Sequence, residues 1–205
     1  MIESGDKIIQ AMEKSTIESQ SEEDNSAKSP PDGDIVAKTC FRQLVQNYDS
    51  DMGGFSKAPK FPQAVNFNFL FTFYAANPKD DKAKQGLKMA LHTLDMMAKG
   101  GIHDHISQGF SRYSTDANWH VPHFEKMLYD QAQLSVAYSY AYQATKEEFF
   151  STIVEDILTY VKRDLGHPLG PFYSAEDADS KVRSCDIGYG NSRNTLKISY
   201  LAILY

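Results

Sequence analysis

The sequence predicts an all-α fold built from helical hairpins. Three observations carry this. Five segments place apolar residues at the helical repeat, and no convincing two-residue alternation occurs before Ser180. Three loops between those segments also share a local sequence. They are Gly54-Phe55-Ser56, Gly109-Phe110-Ser111 and Gly170-Pro171-Phe172-Tyr173-Ser174. They recur about every sixty residues, a period that fits two helices and their connections. If each period is one hairpin, the three loops lie at one end and line a common rim.

Residues 1–14 are expected to form a short helix presenting Ile8, Ile9 and Met12. The stretch that follows, up to residue 33, reads as a disordered acidic linker. It is rich in serine and acids, carries Pro30-Pro31, and has little to bury against the entropy of ordering it. The organised domain is expected over residues 34–180, with Asp34 as the cap of its first helix. Ala37, Phe41, Leu44, Val45 and Tyr48 then fall on one face. A proline- and glycine-rich loop separates this from a helix over 63–76. A third helix over 81–99 turns Ala83, Leu87, Ala90, Leu91, Leu94 and Met97 inward and stops at Gly100-Gly101. A fourth is expected over 122–144, and a fifth over 147–165 with Phe149, Ile153, Ile157, Val161 and Leu165 inward.

At 205 residues the chain fits one domain with a tail, or part of a larger domain. A net charge of −6, without a basic stripe, argues against nucleic acid or an anionic membrane as partner. Cys40 and Cys185 make neither a CxxC pair nor a zinc set, and read as free thiols of a reducing compartment. The N-terminus has no apolar core of a signal peptide. The most apolar window, 67–76, is too short to span a bilayer. A cytoplasmic protein is expected, or a mitochondrial or secreted one if a full-length form carries a targeting segment.

The chemistry concentrates in residues 100–130, where four histidines, Arg112, Trp119, carboxylates and tyrosines crowd into a turn-rich segment. Loops loaded in this way are more often functional than plain connectors. Pro122 suits the first turn of a helix, because its missing N–H would be unpaired there anyway. That places His123 and Glu125 at the positive end of the helix dipole, with Tyr129 on the face of Glu125. A neutral imidazole beside a carboxylate is a usable base or orienting pair. The plainer alternative keeps Glu125 as a dipole partner, Lys126–Asp130 as a surface pair and His123 as a capping residue. His103-x-His105 with His120-x-x-His123 invites a metal, yet no HExxH or cysteine set accompanies it, so no metal and no cofactor are expected. Glu176, Asp177 and Asp179 follow Phe172-Tyr173 without the spacing of a calcium loop. They are either a solvated acidic turn or, on a shared rim, neighbours of Arg112 and Glu125. Aromatics beside carboxylates and an arginine suit a sugar. Two carboxylates across a cleft are also what glycoside hydrolysis requires.

Three stretches carry a resemblance. They are Gly54-Phe55-Ser56-Lys57-Ala58-Pro59-Lys60-Phe61-Pro62, the run from Gly109 through Arg112-Tyr113-Ser114 and Trp119 to Pro122-His123-Phe124-Glu125-Lys126-Met127-Leu128-Tyr129-Asp130, and Phe172-Tyr173-Ser174-Ala175-Glu176-Asp177-Ala178-Asp179-Ser180. Together they resemble the spermatogenesis-associated protein 20 family, with its bacterial YyaL-type relatives, over about residues 34–180. The resemblance implies a thioredoxin-like domain followed by an (α/α)6 toroid similar to N-acylglucosamine 2-epimerases and six-hairpin glycosidases. On this resemblance the chain is expected to start after the thioredoxin-like part. Residues 181–205 do not match and read as a divergent tail, from alternative splicing or a gene-model error. About five of twelve barrel helices are expected.

The expectation is therefore a partial (α/α)6 toroid. It would carry a carbohydrate-processing site of epimerase, isomerase or glycosidase type. His123, Glu125 and Asp177 would do the chemistry. Arg112, Tyr113, Trp119, Tyr129, Asp130, Glu176 and Asp179 would hold a mono- or disaccharide. The other reading is a non-catalytic binding or regulatory protein, in male germ cells as the family name implies. Cutting a ring after five helices leaves apolar faces uncovered, so self-association and inactivity of the chain alone are also expected.

Overall fold

Helices α1 (Gly33–Asn47), α2 (Ala64–Ala76), α3 (Asp81–Lys99), α4 (Leu128–Thr145) and α5 (Glu148–Tyr160) follow one another in the computed structural model. The structure describes Ile9 and residues 32–177. The chain divides into two units, residues 1–38 and 39–205, and the hairpins belong to the second. A π-helical turn, Val161–Leu165, continues α5.

Short connections make neighbours antiparallel. α2 turns into α3 over 77–80 and α4 into α5 over 146–147. α2 packs on α3 and α4, and α4 packs on α5. The start of α2, the end of α3, the start of α4 and the end of α5 therefore share one end, where the long loops emerge.

The core runs between these helices. Phe67, Leu70, Leu94, Met97, Leu134, Tyr138, Ile157 and Tyr160 are wholly buried. Each large apolar side chain contributes about 1.5–3 kcal/mol by leaving water. The Tyr138 hydroxyl is satisfied there, donating to the Leu94 carbonyl at 2.8 Å. Phe41 of α1 stacks on Phe73 of α2 with ring centroids 5.2 Å apart. α3 has its ends marked as its sequence demands. Asp80 Oδ1 accepts from the Lys82 N–H at 2.9 Å, and the Gly100 N–H closes on Met96 and Met97 carbonyls.

Several expectations are corrected. The cap of α1 is Asp32, whose Oδ1 accepts from the Asp34 N–H at 3.0 Å. α5 turns Phe150 inward, with Ile153, Ile157 and Tyr160 completing the face, while Phe149 is exposed. α4 begins at Leu128 rather than Pro122. Residues before it are extended, because they find strand partners. Four two-residue strands occur among the described residues: β1 (Tyr113–Ser114), β2 (Pro122–His123), β3 (Lys126–Met127) and β4 (Ala175–Glu176). The expected N-terminal helix, apart from helical Ile9, lies outside the described residues, as do most of the acidic linker, Asp179 and the tail. No helix among the described residues is long and apolar enough to cross a membrane.

Candidate functional site

The three long loops are tied to one another by backbone hydrogen bonds. Lys60 exchanges both of its backbone bonds with Ser114 at 2.8 Å. β1 pairs antiparallel with β2, setting Tyr113 opposite His123 and Ser114 opposite Pro122. β3 pairs with β4, setting Lys126 opposite Glu176 and Met127 opposite Ala175. The loops around Phe55, Phe110 and Phe172 thus form one rim at the open end of the hairpins.

Buried polar side chains lock this rim. Gln131 of α4, wholly buried, accepts from the Phe110 N–H at 2.9 Å and donates to the Phe110 carbonyl at 2.6 Å. Lys60, 1% exposed, donates to Asp49 at 2.6 Å and to the Gly53 carbonyl at 2.7 Å, with its ammonium 5.3 Å above the Trp119 ring. Lys126 donates to Asp104 and to the Gln108 carbonyl, both at 2.8 Å, over the Tyr160 ring.

On this frame sits a polar cluster around Arg112. Its Nη1 lies 3.1 Å from Glu125 Oε2, and His123 Nδ1 lies 3.8 Å from the same oxygen. The Glu125 contact and then Tyr129 raise the Arg112 pKa further. Phe61, Tyr113 and His123 form a stack, with centroids 4.8 Å apart at both steps. Asp130 faces Arg112 from the first turn of α4. Burial pushes its carboxyl up to about 7, against the lowering pull of Arg112. Three atoms of the cluster, Arg112 Nε, His123 Nδ1 and Asp130 Oδ2, are out of solvent with no hydrogen-bond partner.

A separate cleft of about 440 Å³ opens beside the cluster. Its walls include His103, Asp104, Lys126, Glu176 and Asp177, but not Arg112, His123 or Glu125. Strand parity explains the division. Pro122, Phe124 and Lys126 point into the cleft, and the alternate residues His123 and Glu125 point to the other face. The expected convergence is incomplete: Arg112, His123 and Glu125 do not line the cleft that holds Glu176 and Asp177, and Asp179 lies outside the described residues. Glu176 is engaged by the Tyr160 hydroxyl at 2.7 Å, and burial together with Glu176 holds that hydroxyl well above its usual range.

His123 and Glu125 sit on an extended segment rather than in a helix first turn, so the dipole argument for them does not apply. Lys126 is buried on Asp104 and makes no surface pair with Asp130. Trp119, expected on the ligand, is wholly buried at φ 60° with its N–H donating to the Met52 carbonyl at 2.8 Å. It anchors the rim instead. No group of three His, Cys, Asp or Glu among the described residues is placed to hold a metal.

No protein-family model matches the chain. Spermatogenesis-associated protein 20 of Homo sapiens is 56% identical to it over 151 residues, which is 74% of this chain and 19% of that protein. The chain is a homologue of spermatogenesis-associated protein 20. It spans about a fifth of the length of the curated relatives it matches.

Among solved structures, the cellobiose 2-epimerase of Spirochaeta thermophila aligns at a TM-score of 0.55 and 18% identity, covering 75% of this chain and 42% of that one. A D-mannose isomerase aligns at a TM-score of 0.53 and 16% identity, covering 71% and 40%. The chain therefore has part of the (α/α)6 fold.

Sequence reasoning missed Gln131, Lys60 and Lys126 as rim locks. A polar residue at an inward helical position was the available signal for Gln131. Nothing local distinguished either lysine from the scattered surface ones.

Proposed function

We propose that this chain carries the rim-bearing part of a carbohydrate-processing domain, of epimerase, isomerase or glycosidase type, and is inactive alone. One observation carries the reading: the three unpaired buried atoms on Arg112, His123 and Asp130. Leaving such an atom unsatisfied costs about 1–3 kcal/mol. The Arg112 and His123 side chains stay 40% and 37% exposed beside these atoms, so a ligand that both donates and accepts at several hydroxyls can meet the guanidinium and the imidazole at their open edges. The Phe61–Tyr113–His123 stack supplies an aromatic wall beside them, which suits a sugar ring. The likeness to epimerase and isomerase structures supports the same class by fold analogy.

His123 and Glu125 act in this reading as the ligand-facing imidazole and carboxylate. Arg112, Tyr113, Tyr129 and Asp130 hold the sugar. Glu176 and Asp177 belong to the adjoining cleft and serve longer saccharides. The partner is a neutral mono- or disaccharide, and the acidic net charge supports a role away from nucleic acid and anionic membranes; the location proposed with it is the cytoplasm.

A saccharide-array screen of the full-length human relative tests the reading, with calorimetry on the hits. Binding that is lost when Arg112 is replaced supports it, and an empty array rejects it. The second reading is a non-catalytic binding or regulatory protein, acting in spermatogenesis. It draws on Ile106 and Phe124, both strongly exposed on the cleft wall. An empty array together with a protein partner lost on Phe124→Ser would favour it.

A further inference from the structure

We propose that the cleft beside the Arg112 cluster binds a small primary amine in its protonated form, with Ser111 and Glu176 taking its ammonium group. The inference goes beyond the saccharide reading, whose neutral ligand leaves the charge of this cleft unanswered, and it does not need that reading.

Ser111 is the residue that points to a ligand. It is 3% exposed and lines the cleft. Its hydroxyl is in no hydrogen bond among the described residues. Unlike Asp130 Oδ2, that hydroxyl is not sealed from solvent, so it opens into the cleft. The backbone holds it there. The Ser111 N–H donates to the Ile102 carbonyl and the Arg112 N–H to the Glu125 carbonyl, both at 2.8 Å. Strand parity then gives Ser111 to the cleft and Arg112 to the other face. A polar group held this deep is normally paired, and here the partner has to come from the cleft.

The charge of the cleft selects the kind of ligand. Asp104, Glu176 and Asp177 put three carboxylates on its walls against one ammonium, that of Lys126. Lys126 is already engaged, donating to Asp104 at 2.8 Å. Arg163, whose charge also reaches Glu176, is held by Asp164 at 2.5 Å. Glu176 gives Oε2 to the Tyr160 hydroxyl at 2.7 Å, and its Oε1 is in no hydrogen bond among the described residues. Ser111 Oγ and Glu176 Oε1 are both acceptors, and an ammonium donates three times. A bare metal ion does not suit the cleft, since no group of three His, Cys, Asp or Glu among the described residues is placed to hold one. A volume of about 440 Å³ fits a small organic molecule instead. Ile106 and Phe124 give it an apolar wall for the carbon frame.

The test uses the 205-residue chain, kept dilute, at about pH 6, where amines are protonated and carboxylates ionised. Ligand-observed NMR titrations compare glucosamine, 1-aminobutane, glucose and N-acetylglucosamine. At least one amine should bind, and the neutral sugars should bind about tenfold more weakly or not at all. Added salt should weaken the amine. Glu176→Gln should weaken it about tenfold, and Ser111→Ala severalfold. The glutamine can still accept from Tyr160. If that variant melts early nonetheless, Ser111→Ala decides, because the serine hydroxyl makes no bond within the fold. Binding of glucosamine alone supports the proposal and assigns an amino sugar. Binding of 1-aminobutane, alone or with glucosamine, supports it and shows that the ammonium group is what the cleft reads. Failure of both amines to bind overturns it, and so does amine binding that Ser111→Ala leaves unmoved. Glucose binding as tightly as glucosamine overturns it too, while leaving the saccharide reading in place.

Discussion

Gln131 grips Phe110 by both backbone groups, its amide oxygen 2.9 Å from the Phe110 nitrogen and its amide nitrogen 2.6 Å from the Phe110 oxygen. His103 is bridged to one edge of Phe110, and a helix side chain serves as the neighbour on its other edge. Gln131→Leu removes both partners from the backbone of wholly buried Phe110. The expected loss is about 2–4 kcal/mol, from two unsatisfied backbone groups. Chemical denaturation of the variant beside the wild type measures it, and a loss under about half a kcal/mol rejects the gripping role.

Lys60 and Asp49 make a second prediction. Burial pushes the Asp49 carboxyl upward, but the Lys60 hydrogen bond and the N–H groups of Met52 and Asp51 outweigh it, and the pKa ends lowered. A carboxyl held below its unfolded value, about 3.9, stabilises the fold above that pH. The contribution fades as pH falls through the folded value. Lys60→Met should cost about 3 kcal/mol at neutral pH, the low end for breaking a buried pair, since Asp49 reaches solvent. It should also flatten the acid dependence of stability below about pH 4. Melts across that range check both parts.

Gly109 lies at φ +74°, and a Cβ there would stand 2.7 Å from Tyr160 Cδ1. The left-handed backbone and the crowding each cost about 1–3 kcal/mol in a residue with a side chain. Gly109→Ala should therefore destabilise the chain by several kcal/mol. Gly170, also at positive φ but with nothing near its missing Cβ, should cost less on the same change. Paired denaturation curves would show the order, and equal losses would contradict it.

Val65 on α2, Val136 and Tyr140 on α4 and Leu158 on α5 are exposed in this structure. Each helix of a closed ring covers such residues with a neighbour, and each square ångström left wet forgoes roughly 25 cal/mol. The 205-residue chain should self-associate as concentration rises and should convert no saccharide. Sedimentation velocity checks the first point. A monomer with one sharp, cooperative melt would reject it.

The helices were legible where a face is buried along its whole length. α3 declares itself through Ala83, Ala90, Leu94 and Met97, with Gly100 to stop it. The rim was harder, because its partners are remote. Pro122 reads as a helix start only while Tyr113 and Ser114 are out of view, and the pairing with them keeps the chain extended to Met127. Trp119 looked like a ligand platform because residue type says nothing of burial. Asp130 looked like a surface partner of Lys126 because only the folded chain shows Lys126 turned inward to Asp104. What was legible of the site was its location in the loops, not which side chains stay unpaired there.

The cross-stitching of the rim also sets a timetable. Lys60 meets Ser114, and Leu128 meets Ser174, across separations of about fifty residues. Such pairings yield nothing until the intervening helices have stacked, since the chain must first lose the entropy of closing those loops. The hairpins should consolidate early and the rim last. Around Arg112, burial of the cluster would then be the closing event of folding.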